Sequence, residues 1–198
     1  MKIIIVGATG TIGKHVVKAL EANNEIIKVG SKSGDYQIDM ADLASIEALF
    51  EKIGHFDALV STAGDAHFGP LPQMTETEFR KGVDSKLMGQ VNLVLVGQKY
   101  INPKGSFTLT SGTLSDDPII YGAAVAAING ALNGFVKSAS LELENGVRIN
   151  AVGPGVVEES PSYFPFFPGD IPVAMHRVAQ GYVKSVLGGQ TGQVFKVI

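Results

Sequence analysis

The sequence predicts an α/β fold built on a doubly wound parallel sheet, and three observations predict it. β-Branched apolar runs alternate along the chain with segments of helical apolar spacing. The first such run, Lys2 to Val6, suits a central strand buried on both faces. It ends in a glycine turn, Gly7-Ala8-Thr9-Gly10-Thr11-Ile12-Gly13, placed between that strand and a helix. That is the Rossmann-type arrangement. The 198 residues are enough for one domain with a sizeable core, and no linker, repeat or low-complexity segment divides residues 1–198.

The elements follow in order. Ile12, Val16, Val17 and Leu20 recur at helical spacing and predict a helix over 11–22, followed by strands over 25–29 and 35–38. Asp42 reads as the N-cap of a helix with a stripe of Leu43, Ile46, Leu49 and Phe50. A fourth strand spans 56–61. A long helix runs from Thr75 to about residue 100, its Thr75-Glu-Thr-Glu78 resembling a capping box. Strands over 107–110, 147–152 and 194–197 and helices over 121–143 and 171–187 complete the alternation. Residues 158–170 carry three prolines and three phenylalanines and read as a loop or lid.

Composition excludes several classes of function. The net charge is −3 and no basic patch is visible, so nucleic acid is not expected. With no cysteine there is neither a disulfide nor thiolate chemistry. The four histidines are scattered without metal-ligand spacing, so no metal is expected. No apolar run is long enough to span a bilayer, and the apolar N-terminus is too short for a signal peptide. A cytoplasmic location without membrane association, and a cleft for a small molecule, are the expectations.

The glycine turn lets the backbone come close to a pyrophosphate, which the free N–H groups and positive end of the helix would hold. It is not the G-x-G-x-x-G form, and a turn that only packs strand on helix would look similar. An NAD site carries an acidic residue some 20 residues on, at the end of the second strand. Here that strand ends Val29-Gly30-Ser31-Lys32-Ser33, where two hydroxyls and an ammonium suit a 2′-phosphate. NADP is therefore expected ahead of NAD, with Asp35 nearby as the contrary sign.

Further motifs resemble those of the short-chain dehydrogenase/reductase family across nearly the whole chain. Asp39-Met40-Ala-Asp42 resembles the segment whose first Asp binds the adenine amino group. Ser61-Thr62-Ala63-Gly64 is similar to the family's Asn-Ala-Gly, with Thr62 in place of Asn. Arg148-Ile-Asn-Ala-Val-Gly-Pro154-Gly155, followed by Val156, resembles the strand end beside the nicotinamide, and Thr191-Gly-Gln193 matches the turn before the last strand. The glycine turn itself resembles that of the atypical and extended branches. The resemblance implies hydride transfer using a Ser, a Tyr and a Lys four residues after it, with an Asn supporting a proton relay.

This sequence departs from that set. Aligning residues 105–112 with the family's fifth strand puts Gly112 at the serine and Ser111 on its neighbour. Aligning the next helix by its end puts Val125 at the tyrosine and Asn129 at the lysine. In Val83-Asp-Ser-Lys86-Leu-Met-Gly89, Lys86 stands at the asparagine. A rival register that makes Tyr121 the tyrosine places Val125 at its partner and leaves the loop four residues short. The chain thus reads as an atypical member without the Ser-Tyr-Lys set.

Three substitutes are available. Ser111 could bond a substrate carbonyl or serve only the local turn; Tyr121 could reach the cleft or pack; Lys86 could enter the site or snorkel to solvent. Asn129 is expected to bond ribose or nearby backbone. The catalytic candidates are Ser111, Tyr121 and Asn129.

Two functions remain open: an NADP(H)-dependent oxidoreductase of a small carbonyl or alcohol, under an apolar lid Tyr163-Phe-Pro-Phe-Phe167, and a non-catalytic NADP(H)-binding sensor or interaction module. A methyltransferase is disfavoured by Ser31-Lys32, where the ribose would want a carboxylate. Small residues along the 121–143 helix (Gly122, Ala123, Ala126, Ala127, Gly130, Ala131 and Gly134) permit close approach of a second helix. Family members commonly dimerise through this helix, which predicts a homodimer or homotetramer.

Overall fold

A computed structural model describes residues 1–198 as seven parallel strands in the order β3-β2-β1-β4-β5-β6-β7. The strands are β1 (Lys2–Val6), β2 (Glu25–Gly30), β3 (Tyr36–Gln37), β4 (Phe56–Ser61), β5 (Ile101–Thr110), β6 (Arg148–Pro154) and β7 (Val194–Val197). The helices are α1 (Gly13–Leu20), α2 (Leu43–Ile53), α3 (Glu76–Gly82), α4 (Gly89–Gly97), α5 (Ala123–Ala139) and α6 (Met175–Leu187). Chain order reverses between β1 and β4, and a doubly wound sheet opens its ligand crevice at that reversal, outside the carboxyl ends of the strands.

Alternation along β1 sends Ile4 and Val6 to one face and Ile3 and Ile5 to the other. The first face is covered by α2, α4 and α5 through residues such as Phe50, Leu93 and Leu132. The second is covered by α1 and α6 through Val16, Val178 and Tyr182. Both faces of the sheet are buried, as a parallel sheet requires. No helix is long and apolar enough to cross a membrane.

Predicted caps are made. The Asp42 carboxylate accepts the Ala44 N–H at 3.0 Å, and Thr75 and Glu78 bond reciprocally as a capping box. Leu43, counted in the apolar stripe of α2, is instead exposed, because it sits at the first position of the helix on the solvent side. Helix α1 begins at Gly13 rather than Thr11, and α5 starts two residues after Tyr121, which has φ +69°. Helix α6 begins at Met175, since Val157 and Val173 first form a bridge that holds the preceding segment extended.

Two differences bear on the site. The expected continuous helix to residue 100 is broken by a π-helical segment, Val83–Met88, between α3 and α4. Strand β5 begins earlier than expected and carries an irregularity: Phe56 pairs with Ile101, but Ala58 pairs with Ser106. Asn102, within the extra residues, donates to the Asp57 carboxylate at 2.8 Å.

Candidate active site

The crevice at the β1–β4 reversal is two cavities joined end to end. The larger, about 770 Å³, lies between the glycine turn and the ends of β2 and β3; the smaller, about 360 Å³, lies beyond the ends of β5 and β6. Thr62, Ala63 and Gly64 line both and form the bridge between them.

The glycine turn is shaped by two close approaches. Gly7 has φ +83°, where an L side chain is strained, and a Cβ on Gly13 would overlap the Gly7 carbonyl oxygen. The turn is tied to β4 by the Thr62 hydroxyl, which lies 3.1 Å from the carbonyl oxygens of both Val6 and Gly7. Gly10 N–H closes back on Gly7 O at 3.0 Å, while the N–H groups of Thr9, Thr11 and Ile12 have no acceptor within the chain. Unpaired donors at a helix start are what an anionic group needs.

Of the sequence-derived binding residues, Gly7, Thr9, Gly10, Ser31, Asp39 and Met40 line the larger cavity. Ile12, Pro154, Gly155 and Val156 line the smaller. Ala8 is turned into the core and Gly13 packs against the turn. Thr11, Lys32 and Ser33 are exposed at the rim, and the Ser33 hydroxyl lies 3.1 Å from that of Thr9. Asp35, the contrary sign for the 2′-phosphate, accepts the Lys28 N–H at 2.8 Å and does not line the cavity. Asp39 keeps one carboxylate oxygen on the Ala41 N–H at 2.9 Å.

Lys86 and Ser111 line the smaller cavity, and Asn129, itself buried, meets Lys86 behind them. The Lys86 ammonium donates to Asn129 Oδ1 at 2.8 Å and to the Ser111 carbonyl at 2.9 Å. Lys86 is therefore not a snorkelling surface residue; its π-helical segment faces the cavity and its stem runs inward across Gly64. A Cβ on Gly64 would stand 2.8 Å from Lys86 Cα, so the missing side chain makes the room. Gly112 does the same for Asn129, whose amide nitrogen would lie 2.7 Å from a Cβ there. Buried Gln90 fixes this frame by bonding the Lys86 carbonyl and both the N–H and the carbonyl of Thr110.

No carboxylate pairs with Lys86, and burial alone brings its pKa down from the ordinary lysine value to about 8. The Ser111 hydroxyl is buried and has no hydrogen-bond partner. Tyr121 is not brought to this cavity: it is 44% exposed and meets Phe166 edge-on, with ring centroids 6.2 Å apart.

The segment expected as a lid does cover the smaller cavity. Tyr163 and Phe167 line it, and Tyr163 packs on Phe68 from the β4 side with centroids 5.5 Å apart. Glu159 latches the segment to α1, accepting from Lys14 at 2.6 Å and from His15 at 2.8 Å.

Residues 7–165 match the family model described as "Enoyl-(Acyl carrier protein) reductase". The chain belongs to the short-chain dehydrogenase/reductase family. Among solved structures, the protein lin1944 of Listeria innocua is 46% identical over the whole of both chains, with a TM-score of 0.98. A small-chain dehydrogenase in complex with NADPH is 28% identical, with a TM-score of 0.90 over all of this chain and 96% of the other. An oxidoreductase of Methylorubrum extorquens is 24% identical over 78% of this chain and 72% of its own length. The short-chain dehydrogenase claC of Passalora fulva is 26% identical over 74% of this chain, which spans 60% of that protein. Sequence reasoning could identify the family from short motifs; it left Lys86 undecided, the one available signal being that this lysine and Asn129 each stand where the family has the other.

Proposed function

We propose that this short-chain dehydrogenase/reductase is an NADP(H)-dependent oxidoreductase of a small carbonyl or alcohol. The observation that carries the reading is the continuous crevice, with unpaired backbone donors at its centre and a covered cavity at one end. The residues fit a dinucleotide: Thr9, Thr11 and Ile12 offer N–H groups to the pyrophosphate, and Asp39 offers a carboxylate at the adenine end. Ser31, with Lys32 and Ser33 at the rim, suits a 2′-phosphate, and the NADPH complex of the 28% identical dehydrogenase supports that preference.

When bound, the cofactor supplies or accepts a hydride at the smaller cavity. The protein then has to bind, orient and exclude water, which is worth several kcal/mol by proximity alone. Tyr163 and Phe167 give that cavity an apolar cover. Gly112 and Val125 occupy the places the family gives to its serine and tyrosine, so the reaction proceeds here without the Ser-Tyr-Lys set. The same two residues favour the second reading, a non-catalytic NADP(H)-binding module.

Calorimetric titration with NADPH and NADH tests binding, and NADPH consumption with aldehydes, ketones and quinones tests turnover. Micromolar NADPH binding, weaker NADH binding and turnover lost in Gly10→Asp are expected. Binding without turnover on any substrate selects the second reading, and no uptake of either cofactor overturns both.

A further inference from the structure

We propose that Lys86 is the proton donor of this site, entering from the π-helical segment between α3 and α4, and that Asn129 on α5 is its positioning residue. The inference rests on the oxidoreductase reading and adds to it the group that handles the proton.

Three independent features of geometry point to Lys86. Its ammonium has three protons, of which two are committed to the Ser111 carbonyl and Asn129 Oδ1, and the residue lines the smaller cavity. The third proton is left for a ligand. The backbone is also specialised around it: a π-helical segment, an uncommon feature that recurs at functional sites, carries Lys86, and Gly64 is cut away to let its stem pass. Finally, this half-buried lysine has no carboxylate partner, although withdrawing an unpaired ammonium from water is costly. A structural lysine would be expected to end in an ion pair or in water.

The surroundings leave its charge to be set by desolvation. Asp65, on the loop after β4, holds the Ala66 N–H, and His67 faces Glu78 at 3.8 Å. Asp84, two residues back on the same segment, is exposed. Tyr163 faces the cavity from the lid, Tyr182 is bonded to Thr110 beneath β5, and Lys137 of α5 is exposed. A lysine with a pKa of about 8 is protonated at neutral pH and gives its proton up far more readily than a free lysine.

In the reducing direction the carbonyl carbon gains the hydride and the carbonyl oxygen takes a proton from Lys86 Nζ. One N–H bond breaks and one O–H bond forms. The amine is left neutral, still held by Asn129 through an N–H, and regains a proton from solvent when the product leaves. Ser111 lines the same cavity, with its hydroxyl buried towards Gly153 and without a partner.

The test combines titration of the free protein with kinetics. Protein labelled with 13C at lysine Cε gives a Lys86 resonance, assigned by its loss in Lys86→Met, that should titrate near pH 8; titration in the ordinary range near 10.5 overturns the proposal. With NADPH and the probes 9,10-phenanthrenequinone and 4-nitrobenzaldehyde, wild-type kcat should fall about tenfold per pH unit above the Lys86 pKa. Lys86→Met should lose roughly 100-fold or more in kcat at pH 7 while NADPH affinity stays within about threefold. Lys86→Arg, which retains the charge but not the pKa, should show no such alkaline limb. Lys86→Met with kcat within threefold of wild type overturns the role, as does NADPH binding by the wild type without turnover of either probe. Absence of NADPH binding would instead sink the oxidoreductase reading, while the titration of the free protein still judges Lys86.

Discussion

The Lys86 ammonium and the Asn129 side-chain oxygen are 2.8 Å apart, so a cation carried between α3 and α4 is held by an amide carried by α5. Asn129 is 1% exposed and its nitrogen is confined by Gly112, which fixes the direction in which the oxygen points.

Replacing that oxygen's neutral dipole with a charge should therefore act on Lys86. Asn129→Asp puts a carboxylate beside the ammonium and should raise the Lys86 pKa from about 8 towards the ordinary lysine value. The alkaline limb of kcat should move up with it by a unit or more. Asn129→Leu removes the acceptor and should lower the pKa instead. Opposite displacements in the two pH profiles check the contact; a common loss of activity without a shift would mark Asn129 as packing only.

Folding stability should report the same half-buried amine. The folded-state pKa is depressed, so between about 8 and the unfolded value of 10.5 the unfolded chain binds more protons, and stability rises with pH in that window. Below about 8 the full penalty of burying the charge is present. Denaturant unfolding of wild type and Lys86→Met at pH 7 and pH 10 should show the difference moving in favour of wild type by roughly 1–3 kcal/mol as pH rises.

The latch on the lid should be sensitive to acid. Lys14 first and His15 second hold the Glu159 carboxyl below its usual range, so the latch is intact above the ordinary glutamate pKa and lost as pH falls through the lowered value. Hydrogen exchange over residues 158–170 should be faster in Glu159→Gln than in wild type at pH 7, and the gap should close in acid as the carboxylate is protonated. High salt should narrow it as well, since the pair is near the surface.

Cofactor choice should turn on the end of β2. A carboxylate introduced by Ser31→Asp would repel a 2′-phosphate and accept a ribose hydroxyl, so NADPH affinity should fall at least tenfold and NADH affinity should rise. Calorimetry on both cofactors measures this directly.

We propose that the small exposed face of α5, including Ala123, Ala127, Gly130 and Gly134, packs against a second copy. Sedimentation of wild type should show more than 20.8 kDa, and Ala127→Glu should shift it to that mass by placing a charge where helices approach closely.

Much of the sheet was legible because burial on both faces leaves a strong local trace. Ile3, Ile4, Ile5 and Val6 could only be a central strand, and the capping residues Asp42 and Thr75 announce their helices through bonds made within three residues. Leu43 misled because helical spacing counts a residue without knowing where the helix axis points. The break at 83–88 was not read from the sequence although Gly82 and Gly89 bracket it, because glycines are tolerated within helices; it follows from packing, with Gly82 against Ile128 and Ala66 and Gln90 gripping the Lys86 carbonyl.

By itself the sequence determined the order of strands and helices, the glycine turn and the residues standing at each family position, because these depend on local spacing and pattern. Only the tertiary structure decided that Lys86 turns inward to Asn129 and Ser111 while Tyr121 stays outside against the lid. Those outcomes hang on residues 25 to 45 positions apart meeting in space, and on space left by absent side chains at Gly64 and Gly112, which a linear pattern does not encode.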